Sequence, residues 1–293
     1  MNEELEILKI ADYSERFEYE GAEAFLIVNK NIVDYPCMFG FVKMPDNFEA
    51  VRELFSRIEK RAMELGYKNI VGPLNYCTWL SYRWALNGYD KKYFPDCDNP
   101  RYYVDFIQEL GYEPLYTYRS ASIKINNPLF ALGKAIVDKK EREGVVFKYF
   151  EGEEAYSIVR DIYDISCNAF SDAKLYSDIP YPLFERIYLS WTKKVNTQVY
   201  AAYINGKMVG FVTGYENPYS GDFIGKTSAV LKDYQHQKIY QALLYLGCKL
   251  AIKQGHREMI YHFQCEQKKT FKRYDKEFES NEKKYAIFRK ELK

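Results

Sequence analysis

The chain has 293 residues, and its 42 Lys and Arg nearly balance its 41 Asp and Glu, for a formal net charge of +1. This balance excludes a protein built to bind polyanions, and 47% hydrophobic with 28% charged residues excludes a disordered or collagen-like chain. The apolar runs are far shorter than the roughly 20 residues of a membrane helix, and the acidic start is not that of a secretory signal. The six cysteines form no C-x-x-C pair, so we expect no zinc site, no disulfide framework and a cytoplasmic protein.

The first half of the sequence predicts a small α/β unit. Its clearest helix has apolar side chains every three or four residues, a capping-box pattern of Asp46 and Glu49 at its start, and Gly66 after its end. The predicted elements are, in chain order, strands at 24–28 and 38–42, a helix at 46–65, a strand at 69–72, a helix at 99–110 and a strand at 115–125.

The second half predicts a longer series of elements of the same kind. Asn205 and Gly206 are typical of a type I′ hairpin turn between two strands, and Gly255 follows an amphipathic helix. The predicted elements are a strand at 145–151, helices at 153–170 and 183–191, strands at 198–203, 208–215 and 223–231, a helix at 238–253, a strand at 258–263, a helix at 267–278 and a strand at 284–292.

The order helix, glycine, strand, helix, strand therefore occurs twice, at corresponding places in the two halves. We interpret the chain as two copies of one α/β unit, although few residues are identical between the halves. The predicted domains are residues 1–126 and 145–293, and residues 127–144 are predicted to connect them through a helix at 129–141.

The second half resembles the GNAT superfamily of N-acetyltransferases. The resemblance rests on the order of its elements, on a hairpin that ends in GKMVGFVTGY, and on a strand GKTSAVL that leads into a helix. The family has V-x-P-x-x-[Q/R]-x-x-G-x-[G/A] at that junction. Here Val230 and Gln235 align with it, and Ala242 and the two leucines after it align without a gap in the helix that follows. The implied fold is α/β (α+β), with two tandem GNAT-like units, each a mixed, mostly antiparallel sheet flanked by helices. The second unit is the better match.

The resemblance implies that acetyl-CoA, or another acyl-CoA, is the co-substrate. At such a junction, free N–H groups and the positive end of the helix dipole can bind the pyrophosphate. Here Lys232 replaces the proline, and Lys238 and Tyr240 replace the two small residues, so a loop that merely starts a helix is the alternative. The implied pantetheine-binding residues are Ala229, Val230 and Leu231, and the implied pyrophosphate-binding residues are Gln235, His236, Gln237, Lys238, Ile239 and Tyr240. A further family signature is Glu-Asn followed seven residues later by a tyrosine. Glu266 and Gln267 align with the pair, which implies that Gln267 belongs to the cofactor site.

Two residues carry the implied acid–base chemistry. Tyr274 aligns with the family tyrosine that protonates the departing thiolate, a task suited to a phenol because its pKa is near 10. Glu216, at the end of the second hairpin strand, aligns with the family's general base, and its alternative is an exposed turn residue. A backbone N–H of the strand near residues 228–230 is expected to polarise the acyl carbonyl. His262 and Cys265 are three residues apart on a predicted strand, so they should point to opposite faces and form no metal pair.

The first half has no comparable cofactor loop. Residues 42–45 are too short to cradle phosphates, and Phe106 or Ile107 stands where a proton-donating tyrosine would be. An aromatic insert at residues 76–98 has two interpretations: it forms a wall of an acceptor pocket against the second half, or it packs on its own domain.

The leading hypothesis is therefore an acyl-CoA-dependent N-acyltransferase that transfers acetyl groups directly to a primary amine on a small molecule or peptide. The alternatives are a catalytically degenerate GNAT-like binding protein and an aminoacyl-tRNA-dependent transferase, and the small net charge argues against RNA. Neither DNA nor a membrane is an expected partner. Both a monomer and a homodimer fit the sequence.

Overall fold

The computed structural model of the protein describes residues 3–96, 98–125, 128–266 and 282–293. Within them, the strands are β1 (Tyr13–Tyr19), β2 (Ala22–Val28), β3 (Cys37–Lys43), β4 (Asn69–Gly72), β5 (Trp84–Ala85), β6 (Glu113–Lys124), β7 (Val146–Glu151), β8 (Gln198–Ile204), β9 (Lys207–Glu216), β10 (Phe223–Val230), β11 (Glu258–Cys265) and β12 (Lys283–Glu291). The α-helices are α1 (Phe48–Glu64), α2 (Arg101–Glu109), α3 (Pro128–Arg142), α4 (Glu153–Ser157), α5 (Val159–Phe170), α6 (Tyr181–Thr192) and α7 (Ile239–Lys253). Across the described ranges, no helix is long and apolar enough to span a membrane.

The helices begin and end close to the predicted positions, with local differences. The N-cap of α1 is Asn47 rather than Asp46, because the Asn47 side chain accepts a hydrogen bond of 3.3 Å from the N–H of Ala50. The helix predicted at 153–170 is divided at Ile158 into α4 and α5. Strands β1 and β5 were not predicted, and the helix predicted at 267–278 lies outside the described residues.

All strands belong to one sheet, in the order β1-β2-β3-β4-β12-β6-β11-β10-β9-β8-β7, with β5 paired to β12. Neighbours in this order are antiparallel except at two places, β3 beside β4 and β10 beside β11. The expectation of mixed, mostly antiparallel sheets flanked by helices is confirmed, and the two halves share a single continuous sheet.

The final strands of the two halves are exchanged between them. Strand β12, the last of the chain, lies between β4 and β6 of the first half, and β6 in turn pairs with β11 of the second half. The centre of β12, from Tyr285 to Phe288, is fully buried, which its unbroken apolar run favours. Domain boundaries at 126 and 145 stay a prediction, but the chain segments on either side of them interlock within the sheet.

Helices cover both faces of the sheet. On one face, α1 and α2 pack against the first half, while α7 packs against the second half and α3 packs on α7. On the opposite face, α4, α5 and α6 pack together with residues from the segment 73–98. Both parallel strand pairs are therefore covered by helices or loops on their two faces. The candidate functional site described below lies at the second pair, β10 and β11.

Candidate functional site

Strands β10 and β11 separate after a short paired stretch. Their parallel ladder comprises Ile224 opposite Ile260 and Gly225 opposite Tyr261. Directly after Gly225, β10 has a bulge that ends at Ser228, where its regular pairing with β9 resumes. A bulge bends a strand and re-aims its backbone groups, so the two strands diverge and leave an opening between them.

A cleft occupies this opening on the side that faces α7. Its volume is about 600 Å³ when the part that is open to solvent is counted. Its floor is the bulge of β10, its sides are β9, β11 and one face of α7, and Tyr240, which is 38% exposed, lies near its rim. The cleft thus runs from the start of α7 to the point where β10 and β11 meet.

The start of α7 has a backbone shape suited to binding an anion. His236 and Lys238 both adopt left-handed conformations, with φ of +62° and +64°, and Lys238 is the N-cap of the helix. No side chain caps this helix end, and residues 235–238 are exposed. Because the first N–H groups of a helix have no intrahelical acceptor, they and the helix dipole present positive charge here.

The side chains of the predicted pyrophosphate loop take different positions. Gln235 donates a hydrogen bond of 3.2 Å to the carbonyl of Val230, and Gln237 donates one of 3.1 Å to the carbonyl of Asp233. The Gln235 amide therefore ties the loop to the end of β10, and the Gln237 amide closes a turn within the loop. Ile239 is buried in the core beneath α7, so only its backbone can face a ligand.

Lys232, at the family's proline position, fixes the loop to the end of α5. Its Nζ lies 2.6 Å from both Ser171 Oγ and Asp172 Oδ2, and its N–H donates a hydrogen bond of 2.9 Å to Asn168 Oδ1. The positive charge of the Lys232 side chain is thus already paired with the carboxylate of Asp172. Of the predicted strand residues, Ala229 and Val230 pair with β9 and are buried, and Leu231 donates its N–H to Val209 at 2.9 Å.

The structure separates Glu216, one of the two predicted catalytic residues, from this loop. Glu216 lies beside Phe223, where β10 and β11 are still paired, and its exposed carboxylate lies 3.1 Å from His256 Nε2. It is therefore on the closed side of the divergence. Tyr274 and Gln267 lie outside the described residues, so their predicted roles stay predictions.

The corresponding opening in the first half is closed by the chain itself. After Met38 pairs with Val71, the N–H of Leu74 donates a 2.9 Å hydrogen bond to the carbonyl of Phe39, and Asn75 Oδ1 accepts one of 2.7 Å from Phe41. Glycine at position 40 permits this approach, because a Cβ there would lie 2.5 Å from the carbonyl oxygen of Leu74. Leu74 and Asn75 therefore occupy the edge of β3, whereas the corresponding edge of β10 is open.

The aromatic insert contacts the second half as well as its own, and its role as the wall of an acceptor pocket stays a prediction. The hydroxyl of Tyr215 donates a 2.6 Å hydrogen bond to the carbonyl of Phe94, and the Phe94 and Trp191 rings are 6.2 Å apart. Asn217 accepts the N–H of Phe94 at 3.2 Å. The insert thus covers the divergence of β10 and β11 on the face away from α7.

Sequence reasoning missed a buried polar cluster on that same face. A 2.5 Å ion pair joins Lys283 to Asp96, and both side chains are about 5% exposed. His262 lies nearby, and burial together with the charges of Lys226, Arg83 and Lys283 holds its pKa well below the ordinary value. These residues are up to about 200 positions apart in the chain, so no local pattern could reveal their proximity. No group of three or more His, Cys, Asp or Glu that could hold a metal occurs in the described part of the chain.

Comparisons with known proteins concern the second half of the sequence and the fold. Residues 159–278 match the model of the acetyltransferase (GNAT) family. A tandem GNAT protein from the clavulanic acid biosynthesis pathway is 7% identical, with 93% of this chain and 79% of that chain covered and a TM-score of 0.52. A GCN5-related N-acetyltransferase from Sphaerobacter thermophilus is 15% identical, with coverages of 93% and 77% and a TM-score of 0.48. No curated protein matches the sequence. At these identities the likeness to the tandem protein concerns the fold.

Proposed function

We propose that this chain, whose residues 159–278 match the acetyltransferase (GNAT) family, transfers an acetyl group from acetyl-CoA to a primary amine. The observation that carries the proposal is the asymmetry between the two parallel strand pairs. The pair in the matched domain diverges beside a helix start, whereas the pair in the first half is closed by Leu74 and Asn75.

The donor would lie in the cleft between β10, β11 and α7. Its pyrophosphate would meet the N–H groups at the start of α7, where the left-handed turns at His236 and Lys238 expose the backbone. The Lys238 ammonium, which is exposed at this helix start, would add a charge-assisted contact. The pantetheine would follow the cleft towards the bulge that ends at Ser228.

The bulge supports acyl transfer at the inner end of the cleft. Backbone N–H groups released from regular pairing can hydrogen-bond the oxyanion that develops on the acyl carbonyl. The resemblance supplies Tyr274 as the acid for the leaving thiolate. Glu216 stays the sequence-based prediction for the base, although it lies beside the still-paired part of β10.

Isothermal titration of the full chain with acetyl-CoA tests the donor site. We expect micromolar binding, weakened about tenfold or more by Lys238→Glu, because the reversed charge would repel the pyrophosphate. Lys249→Glu, an exposed change further along α7, is the matched control and should bind as the unmodified chain does. No heat and no thermal shift at millimolar acetyl-CoA would instead favour a GNAT-like binding protein.

A further inference from the structure

Charged and polar side chains surround the ring of Phe263 in β11. The guanidinium carbon of Arg83 lies 3.2 Å from the ring centroid, and Lys226 Nζ lies 4.3 Å from it. The ring of His262 is 3.5 Å away and that of Tyr285 is 5.0 Å away. The insert and strands β10, β11 and β12 thus bring four functional groups to one ring.

This cluster lies where β10 and β11 part. His262 directly follows Tyr261, the last residue of β11 that pairs with β10. The ring of Tyr93 lies 5.7 Å from that of His262, and Tyr93 packs with Trp191 on the face away from α7. The donor cleft and this cluster are therefore on opposite sides of the opening between β10 and β11. A donor in the cleft and an acceptor at the cluster can meet through that opening.

Arg83 is a buried cation with unused hydrogen-bond donors. It is 4% exposed, and within the described ranges no group accepts a hydrogen bond from its buried Nε and Nη1. The ring of Tyr82, 3.7 Å away, stacks on the guanidinium and offsets part of its desolvation, but a ring face does not take in-plane donors. The planar fork of an arginine fits the two oxygens of a carboxylate.

A chain of hydrogen bonds ends at His262. Ser120 Oγ donates to the hydroxyl of Tyr285 at 3.2 Å, and Tyr285 donates to Asp96 Oδ2 at 3.1 Å. Ser120 Oγ also lies 2.9 Å from His262 Nδ1. We assign the imidazole proton to Nδ1 as part of the proposal below, because this tautomer leaves the Ser120 proton on its bond to Tyr285. The lone pair is then on Nε2, which is buried and without a partner among the described residues.

The backbone at this cluster is strained on both sides of the contact. Arg83 and Phe263 both have positive φ values, of +66° and +57°. Large side chains rarely adopt this conformation, and such strain concentrates at ligand-binding and catalytic sites. These two residues contact each other within the buried cluster.

The charge balance of the cluster favours an anion and a neutral amine. Lys283 is paired with Asp96, whereas the buried Nε and Nη1 of Arg83 have no acceptor among the described residues, so the positive charge of Arg83 can meet an anion. Burial, together with the charges of Lys226, Arg83 and Lys283, holds the pKa of His262 well below its usual value and so favours the neutral imidazole. The same field lowers the pKa of an amine that enters, and only the neutral amine can attack an acyl carbonyl.

We propose that the acceptor is an amine that also carries a carboxylate, with the carboxylate bound by Arg83 and the amine proton accepted by His262 Nε2 in place of the sequence-predicted base Glu216. This inference rests on the proposed acyl transfer. Tyr93 packs edge-on against His262, so the acceptor has to displace that ring to reach Nε2. Ser120, Tyr285 and Asp96 act as positioning residues through the hydrogen-bonded chain.

The transfer balances with these groups. The amine nitrogen attacks the acyl carbonyl carbon, a C–N bond forms, and the C–S bond to CoA breaks. The proton lost by the nitrogen passes to His262 Nε2. The thiolate of CoA leaves and takes a proton, for which Tyr274 is the predicted donor. The products are the N-acetylated carboxylate and free CoA.

Matched amines test the substrate class on the full chain. Lysine and cadaverine, arginine and agmatine, and tyrosine and tyramine differ within each pair only by the carboxylate. Thiol release from acetyl-CoA gives kcat/KM for each amine, and titration without acetyl-CoA gives the binding constant. We expect the carboxylated member of at least one pair to be preferred roughly 100-fold, because only it pairs with the buried guanidinium.

Two variants separate the two roles. Arg83→Met should abolish the preference by raising KM for the carboxylated amine, and Arg101→Met, an exposed arginine on α2, is its matched control. His262→Gln should lower kcat about 100-fold or more while the preference for the carboxylate remains. If either variant fails to fold, the preference of the unmodified chain still decides the substrate class.

The outcomes distinguish this inference from the proposed function. If the two members of every pair have equal kcat/KM values and equal binding constants, the carboxylate site is overturned, even if acetyl-CoA binds. The same conclusion follows if neither member of any pair binds. A preference that survives Arg83→Met overturns the role of Arg83, and an unchanged kcat in His262→Gln overturns that of His262. Failure of acetyl-CoA to bind rejects the acyl transfer, whereas the binding constants of the amine pairs still report on Arg83.

Discussion

Lys238 shows how one residue can depart from a family pattern and keep its geometry. The resemblance predicts a small residue at this position, and glycine is the residue that most readily adopts a left-handed conformation. The structure retains that conformation, with φ of +64°, on a lysine. The side chain leaves the helix start exposed and adds a positive charge to it. Lysine at this position therefore introduces some backbone strain and adds a positive charge to the predicted pyrophosphate loop.

Replacing Lys238 with glycine should stabilise the fold. A non-glycine residue in the left-handed region costs about 1 kcal/mol, so Lys238→Gly should raise the free energy of unfolding in urea by about that amount. Lys249→Gly, in the middle of α7, is the matched control and should lower it by about 1 kcal/mol. A loss of stability in Lys238→Gly would mean that the lysine side chain stabilises the loop by more than the strain costs.

At the scale of elements, the connecting helix α3 is docked closely onto α7. Gly133 makes this possible, because a Cβ at that position would lie 2.3 Å from Cδ2 and 2.6 Å from Cβ of Tyr245. The ring of Tyr245 also packs on that of Phe130, with centroids 4.8 Å apart. The segment that joins the two halves is thereby part of the support beneath the donor cleft.

Gly133→Ala should destabilise the protein although alanine favours helices. The added methyl group would overlap the base of the Tyr245 side chain, and overpacking of this kind costs about 1–3 kcal/mol. Gly247→Ala in α7 is the matched control, since its Cβ would lie 3.6 Å from Val212, an ordinary contact, and it should be neutral or stabilising. Urea unfolding measures both, and a stabilised Gly133→Ala variant would show that α3 can shift freely on α7.

For the whole molecule, the exchange of β12 and β6 ties the two halves into one folding unit. Phe288, five residues from the end of the chain, is fully buried in the core beneath α1 and lies 6.3 Å from the ring of Trp84. The last residues of the second half therefore complete the core of the first half. The first half, although its own strand divergence is closed, supplies Arg83, Asp96 and Ser120 to the site of the second.

Phe288→Ala should destabilise the entire chain in one transition. Removing a buried phenylalanine ring costs about 3–5 kcal/mol, and the shared sheet should transmit that loss to both halves. Unfolding followed by far-UV circular dichroism and by tryptophan fluorescence should give coincident curves. The control Lys284→Ala, exposed on the same strand, should change stability by less than about 0.5 kcal/mol. Two separate transitions would contradict a single folding unit.

Local chemistry in the sequence determined much of this fold. The periodicity of 46–65 and 238–253, the glycines after these helices and the Asn205-Gly206 turn all depend on neighbours a few residues apart, and the structure has α1, α7 and the β8–β9 hairpin at these places. The same local pattern around Val230 and Gln235 located the start of α7. Asp46 was a wrong choice of N-cap, because Asn47 beside it has equal chemistry and the cap depends on backbone angles.

Only the tertiary structure decided which strands meet and which side chains share a site. The unbroken apolar run of β12 fits a place in either half, and its position between β4 and β6 follows from the packing of the complete sheet. The cluster of Arg83, Asp96 and His262 follows from the same strand order, because β6, β11 and β12 bring together residues that are distant in the chain. Short-range propensities act within a few residues, whereas burial and charge act through space, so the sequence determined the elements and the folded chain determined the site.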